Sequence, residues 1–287
     1  MRKTFEYEYW EEKFPLAIVR SERQSFIDKY TKNNTGYFNS VESLDSFIKE
    51  QLPQGVTVFG PYDAVIFEQL RKEHGYHTNM PGAIPCDIFI WSIGESEDRT
   101  VTKVGGLPYR ESSSTWPCGD DGIPYTFEAQ ITFADSKDIL PELPGDILLI
   151  FQDDNIKLHF EWINIDEKLK LVQYEDVPNQ PERVQPYFGT RYRTYDIPAS
   201  EQDDLSINVI DGTKVGGIPA WCQDEAQIDG QYLCQLETIY PSWGIPYPLM
   251  NCDLLEGSNR DLLFGGIAVM YAFIDGNIIN YELHAGD

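Results

Sequence analysis

The chain has 287 residues, 41% of them hydrophobic, with 17 Tyr and 15 Phe, which is enough to bury a large core and excludes a disordered protein. Forty-seven Asp and Glu against 22 Lys and Arg leave a formal charge of −25, a field that repels nucleic acid and anionic membrane surfaces. No run approaches the ~18 consecutive apolar residues of a membrane span, and the start, Met1 to Glu8, carries Arg2, Lys3, Glu6 and Glu8 where a secretory leader carries an apolar segment. A cytoplasmic protein with neither nucleic-acid nor membrane partners is therefore expected.

In chain order, the first elements read as helices. Ser40 can cap a helix whose stripe Val41, Leu44, Phe47, Ile48 and Leu52 falls on one face, with Pro53 ending it. Gly60-Pro61 opens a second, through Val65, Ile66, Phe67 and Leu70 to His74-Gly75. Val56 to Phe59 reads as a short strand between them, and Asp87 to Ile93 as a strand rich in branched and aromatic residues.

From about residue 100 the text is mostly β. Thr126 to Phe133 alternates; Asp146 to Phe151 is a continuous apolar run suited to a buried central strand; Lys157 to Ile165 alternates again after an Asp153-Asp154-Asn155 turn. Residues 176–200 carry Pro178, Pro181, Pro186 and Pro198 and read as an extended connection. Ile267 to Ile274, a turn at Asp275-Gly276-Asn277, and Ile278 to Leu283 form a second hairpin.

One phrase organises this pattern because it occurs twice. Thr102-Lys103-Val104-Gly105-Gly106-Leu107-Pro108 returns as Thr213-Lys214-Val215-Gly216-Gly217-Ile218-Pro219. A Trp follows each copy (Trp116, Trp221), then a Gln opening an apolar-polar run (Gln130, Gln235), then a glycine-led apolar strand. The duplication implies an α+β fold, mainly antiparallel β with N-terminal helices, whose two halves are pseudo-symmetric. The expected organisation is one domain over 1–287, with a helix-containing part over 1–100, a first half over 101–175, the connection over 176–200, and a second half over 201–287.

The repeated phrase admits two chemical readings. Adjacent glycines let backbone N–H groups approach an anion, with Lys103 and Lys214 adding charge. The alternative is a tight turn with positive φ at glycine and close backbone packing, left by a Pro that fixes the exit. The spacing matches neither GxxxxGK[ST] nor GxGxxG, and the Lys precedes the glycines. His74 and His77 lack a completing ligand set, so no metal is expected. No nucleophile motif accompanies any histidine, and Glu128 and Glu161 stand in alternating strands without a partner legible in the sequence; no catalytic residue and no cofactor is expected. Five cysteines without CxxC spacing read as thiols. Trp116, Trp221 and Trp243 border Pro- and Gly-rich loops, where an aromatic ring either anchors a partner or pins the loop to the core.

The first phrase, followed by Trp116-Pro117, Phe127-Glu128-Ala129-Gln130-Ile131 and Leu140-Pro141-Glu142-Leu143-Pro144-Gly145-Asp146-Ile147-Leu148, resembles the YwqG-like family, bacterial cytosolic proteins of unknown function. Gly216-Gly217-Ile218-Pro219, Gln223, Leu233-Cys234-Gln235-Leu236 and Gly265 to Phe273 continue the resemblance, which covers roughly residues 85–285. The chain departs where the family has Gly-Asp-x-Gly before its final strand and this sequence has Phe264-Gly265-Gly266-Ile267. The resemblance implies an α+β duplicated fold and brings no catalytic residues. Proteins similar to this family occur beside polymorphic toxins and resemble immunity proteins. With the charge, this makes an acidic, non-enzymatic protein that occludes a basic toxin of the nuclease type the first expectation. The alternative is a small-molecule site between the halves, built from Lys103, Gly105, Gly106, Gln130, Lys214, Gly216, Gly217 and Gln235.

Overall fold

A computed structural model of the chain describes residues 58–59, 82–178, 186–198, 209–210, 212–237 and 267–285. In chain order these carry β1 (Val58–Phe59), β2 (Ile84–Ile93), β3 (Thr102–Val104), β4 (Thr126–Thr132), β5 (Ile147–Gln152) and β6 (Leu158–Ile163). There follow β7 (Tyr187–Asp196), β8 (Lys214–Gly216), β9 (Gln231–Glu237), β10 (Ile267–Asp275) and β11 (Ile278–Ala285). Every strand pair of defined register is antiparallel.

This overturns the α+β expectation. Among the described residues there is no α-helix, only two single-turn 3-10 segments at Ala134–Ser136 and Tyr174–Asp176, and the fold is almost entirely antiparallel β. The helical assignment rested on the periodicities of residues 40–52 and 61–75, which lie outside the described residues. Strand β5 follows the continuous-apolar pattern of a central strand. The segment read as an extended connection carries a ten-residue strand, β7.

The chain divides into two compact units. One takes the described parts of Met1–Ser92 and Thr190–Ala220; the other takes those of Ile93–Gly189, Trp221–Ile239 and Asn259–Asp287. In the first, β2 is flanked by β8 and β7, and β1 pairs with its far end. Its core includes Cys86, Ile88 and Val215, with Tyr195 and Ile210.

In the second unit, the opening residues of β7 pair with β3, and β3, β4, β5 and β6 follow in succession. A separate antiparallel ladder runs β9, β10, β11. Strand β5 has neighbours on both edges, and all of Ile147 to Phe151 are fully buried, which is why its sequence is unbroken hydrophobic text. On one face Ile147, Leu149 and Phe151 join Tyr109 and Phe127 in a core cluster. Cα partners alternate along β4, so Phe127, Ala129 and Ile131 are buried while Thr126, Glu128 and Thr132 are half-buried.

The β5–β6 turn forms where the sequence places it. The Asp153 carboxylate accepts hydrogen bonds from the N–H groups of Asn155 and Lys157, and Asp153 N–H donates to the Lys157 carbonyl. It closes through Ile156 at φ 67°, the one non-glycine residue with positive φ among those described. A β-branched side chain is strained there, at a position where hairpins of this length favour glycine. Ile156→Gly is therefore expected to stabilise the protein by about 0.5–1 kcal/mol. Equilibrium denaturation measures this, and a loss of stability would show that packing of the Ile156 side chain outweighs the backbone strain.

Candidate functional site

The two glycine phrases build the same device in the two units. In the first copy, β3 ends at Val104 and the chain turns through Gly105 (φ 65°) and Gly106 (φ 70°). Glu95, just past the end of β2, faces this turn. Its carboxylate accepts the Leu107 N–H at 2.7 Å and meets the Lys103 ammonium at 3.4 Å, while the same ammonium donates to the Leu107 carbonyl at 2.9 Å. In the second copy the turn is Gly216 (φ 69°) and Gly217 (φ 76°), and the acid is Asp196, the last residue of β7. Its carboxylate accepts from the Ile218 N–H, the Ile210 N–H and the Lys214 ammonium, each at 2.8 Å, and Lys214 also donates to the Ile210 carbonyl at 2.6 Å.

Glycine is required because the carboxylate occupies the space of a side chain. A Cβ on Gly106 would overlap the Glu95 carboxylate, and one on Gly217 would overlap that of Asp196 and press on Cys86. Lys103 and Lys214 are buried, and each ammonium is committed to a carboxylate and a carbonyl. Burial pulls the Lys103 ammonium below the usual lysine range, against the opposing pull of Glu95. Of the two readings of the phrase, the geometry is that of the tight turn.

The paired glutamines are also buried. Gln130, opposite Lys103 on β4, accepts from the Tyr109 N–H and donates to the carbonyls of Arg99 and Val101, so it fastens the two chain segments that flank the phrase. Gln235, opposite Tyr271 on β10, accepts from the Tyr232 hydroxyl.

The tryptophans pin loops. The Trp116 indole donates to the Tyr125 carbonyl at 2.7 Å and sets its ring edge-on to Phe151 at 5.3 Å. Trp221 lies against Tyr271, Phe273 and His284. Trp243 lies outside the described residues, as do His74 and His77. Four of the five cysteines are described and none forms a disulfide: Cys86 and Cys234 are buried, Cys118 and Cys222 exposed, and burial pushes the Cys234 thiol up.

A cluster on the second unit joins residues that the sequence left separate. Arg110, buried, forks onto Glu161 of β6 at 2.7 and 3.2 Å and also donates to the carbonyls of Ser114 and Thr115, its guanidinium lying over the Trp116 ring. The His159 imidazole stands 3.7 Å from the other side of the Glu161 carboxylate and packs on Tyr125 and Phe151. Burial alone would raise the Glu161 carboxyl, but the hydrogen bonds of His159 and Arg110 outweigh it and hold the group below the usual glutamate range. The result is a fixed anionic charge beside a half-exposed imidazole.

Around this cluster the loop tips are acidic. Pairing of Thr126 with Gln152 brings the 117–125 hairpin and the β5–β6 turn to one end of the sheet. Asp120, Asp121 and Asp154 are exposed there, with Ile123, 47% exposed, among them. Among the described residues no group of three His, Cys, Asp or Glu is placed to hold a metal ion, and no helix is long and apolar enough to cross a membrane.

Glu95, Asp196 and Arg110 are the residues that sequence reasoning missed. The acids precede their lysines by 8 and 18 residues, so the repeat that reveals the lysines hides them. Arg110 follows the first phrase as Pro108-Tyr109-Arg110, whereas the second continues Pro219-Ala220-Trp221.

Lys214→Met strands the buried Asp196 charge and is expected to cost about 3–5 kcal/mol. Adding Asp196→Asn, which removes the stranded charge and keeps an acceptor oxygen for one of the two N–H groups, should return part of that loss. Denaturation of the two variants decides it: a single-mutant cost no larger than that of a surface lysine would sink the account. Glu161, with its lowered folded-state value, stabilises fully above the unfolded glutamate range and loses that contribution as pH falls through the folded value. Asp146, lowered chiefly by its hydrogen bond from Lys137, acts in the same direction. Thermal unfolding across that acidic window should therefore show a shallower acid limb for Glu161→Gln than for the wild type.

No curated protein matches the chain. Residues 102–202, which run from the first phrase through the Arg110–Glu161 cluster to the end of β7, match the family model described as a domain of unknown function, DUF1963.

Proposed function

We propose that the chain is an acidic, non-enzymatic binding protein, YwqG-like and cytoplasmic, that acts as an immunity protein by occluding a basic toxin of the nuclease type. The observation that carries the reading is where the charges go. Among the few cations, Lys103, Lys214 and Arg110 are buried on Glu95, Asp196 and Glu161, and Arg191 and Arg193 close on the fully buried Asp87. These ion pairs set five cations on four carboxylates, so the acid excess behind the net charge of −25 is left to the other residues.

The acidic tips supply a matching contact. Asp120, Asp121 and Asp154 are exposed at the end of the sheet that also carries the exposed Ile123, and Asp224, Glu225 and Asp229 are exposed in the loop that Trp221 opens. An exposed apolar residue on an acidic loop end suits a partner whose own surface carries Lys and Arg beside a small apolar depression. A field of this sign raises the encounter rate with such a partner and mimics the charge of a nucleic-acid substrate.

The test begins with tagged protein as bait in a lysate of the native host at low ionic strength, the captured chain then being identified and purified. Stopped-flow association of wild type and an Asp120→Asn, Asp121→Asn, Asp154→Asn variant is then followed against salt. The variant is expected to associate about tenfold more slowly at low salt and to show a flatter salt dependence. Wild-type association at one rate in low and high salt would remove the steering argument, and a bait that captures no basic protein would remove the partner.

A further inference from the structure

Among the described residues, the second unit ends on two strands that each have a neighbour on one side only: β6 pairs with β5, and β11 with β10. On β6 the hydrogen-bonding alternation is set by Asp153 N–H donating to the Lys157 carbonyl and Asp146 N–H donating to the Ile163 carbonyl. Lys157, His159, Glu161 and Ile163 thus direct their backbone groups to β5, and Leu158, Phe160 and Trp162 direct theirs to the outer edge. One of these outward N–H groups, that of Leu158, donates to the Tyr281 hydroxyl of β11 at 3.2 Å, with the Tyr281 ring 5.5 Å from that of Phe160. At this point a side chain bridges the two strands in place of a backbone ladder. The buried indole N–H of Trp162 also has no partner among the described residues.

We propose that the outer edge of β6 is a docking site for an extended, basic segment of a partner protein, which adds to the sheet as a strand while Tyr281 swings aside. The Tyr281 hydroxyl stands where the carbonyl of an added strand would stand, accepting the hydrogen bond that such a strand would accept. The charge of the occupant follows from the flanks. Residues 153–168 and 275–284 hold Asp153, Asp154, Glu161, Asp166, Glu167, Asp275 and Glu282 against Lys157 and Lys168. The basic nature of the occupant rests on the function proposed above; the open edge does not.

The probe is a synthetic peptide of about ten residues alternating Lys and Val. Its controls are a Glu/Val counterpart and a Lys/Val peptide with proline at alternate positions. Amide hydrogen exchange of the whole protein is read at Phe160 and Trp162. The Lys/Val peptide is expected to slow exchange at both amides about tenfold or more. It should also bind the Tyr281→Phe variant, which no longer caps Leu158, about fivefold more tightly. Proline in the peptide should abolish the protection, since it cannot complete a ladder. Saturating Lys/Val peptide that leaves both amides unprotected overturns the strand addition, as does equal protection by the proline peptide. Salt-sensitive binding without protection would leave the acidic-surface reading standing and remove the edge; equal protection by the Glu/Val peptide would keep the edge and remove the basic partner.

Discussion

A carboxylate that receives both a backbone N–H and a buried lysine ammonium is the contact on which each repeated turn depends. Two consecutive glycines in the left-handed region leave the following N–H pointing away from any strand ladder, into a space emptied of side chains. Glu95 and Asp196 fill that space and satisfy the N–H, yet a lone carboxylate so placed would be strongly destabilising. Lys103 and Lys214 neutralise it, and each lysine in turn needs a carbonyl for its remaining hydrogens, which Leu107 and Ile210 provide. No member of the set is stable there without the others. The carboxylate hangs from the end of β2 in one copy and of β7 in the other, so the same contact also fixes where those strands stop.

This arrangement explains what could and could not be read from the sequence. The strands of the two hairpins were legible because their alternation and their Asp-Asp-Asn and Asp-Gly-Asn turns are local signals. The repeated lysines and glycines were legible as a pattern, and their role was not, because the acids that complete it differ in type and spacing between the copies. Strand β7 was hidden by Pro186 and Pro198 at its two sides, which made an alternating strand read as a connection. The Arg110–Glu161 fork was out of reach for another reason: its residues lie 51 apart and meet only through the pairing of β4, β5 and β6. The α+β assignment rested on helical periodicity over residues 40–52 and 61–75, outside the described residues, whereas the described elements are almost entirely antiparallel strands.

Charge is partitioned by the same physics. A charge taken into the core must bring its opposite with it: Lys103, Lys214 and Arg110 are buried on carboxylates, and the buried Asp87 draws in Arg191 and Arg193. The interior is thereby balanced, and the imbalance in composition is carried by loops and strand ends. Loops that are tied down by Trp116 and Trp221 can hold acidic tips in place without a binding partner, which lowers the ordering entropy that recognition would otherwise have to overcome.

The two staples differ in how much chain they enclose, and this bears on the order in which the molecule assembles. Glu95 reaches Lys103 across 8 residues, Asp196 reaches Lys214 across 18. On loop-closure entropy alone, the shorter circuit forms at about 0.7 kcal/mol less cost than the longer. A duplication that left two identical turns in the finished protein thus left them unequal in the kinetics of reaching it, with the copy that closes the tighter loop favoured to be the earlier foothold.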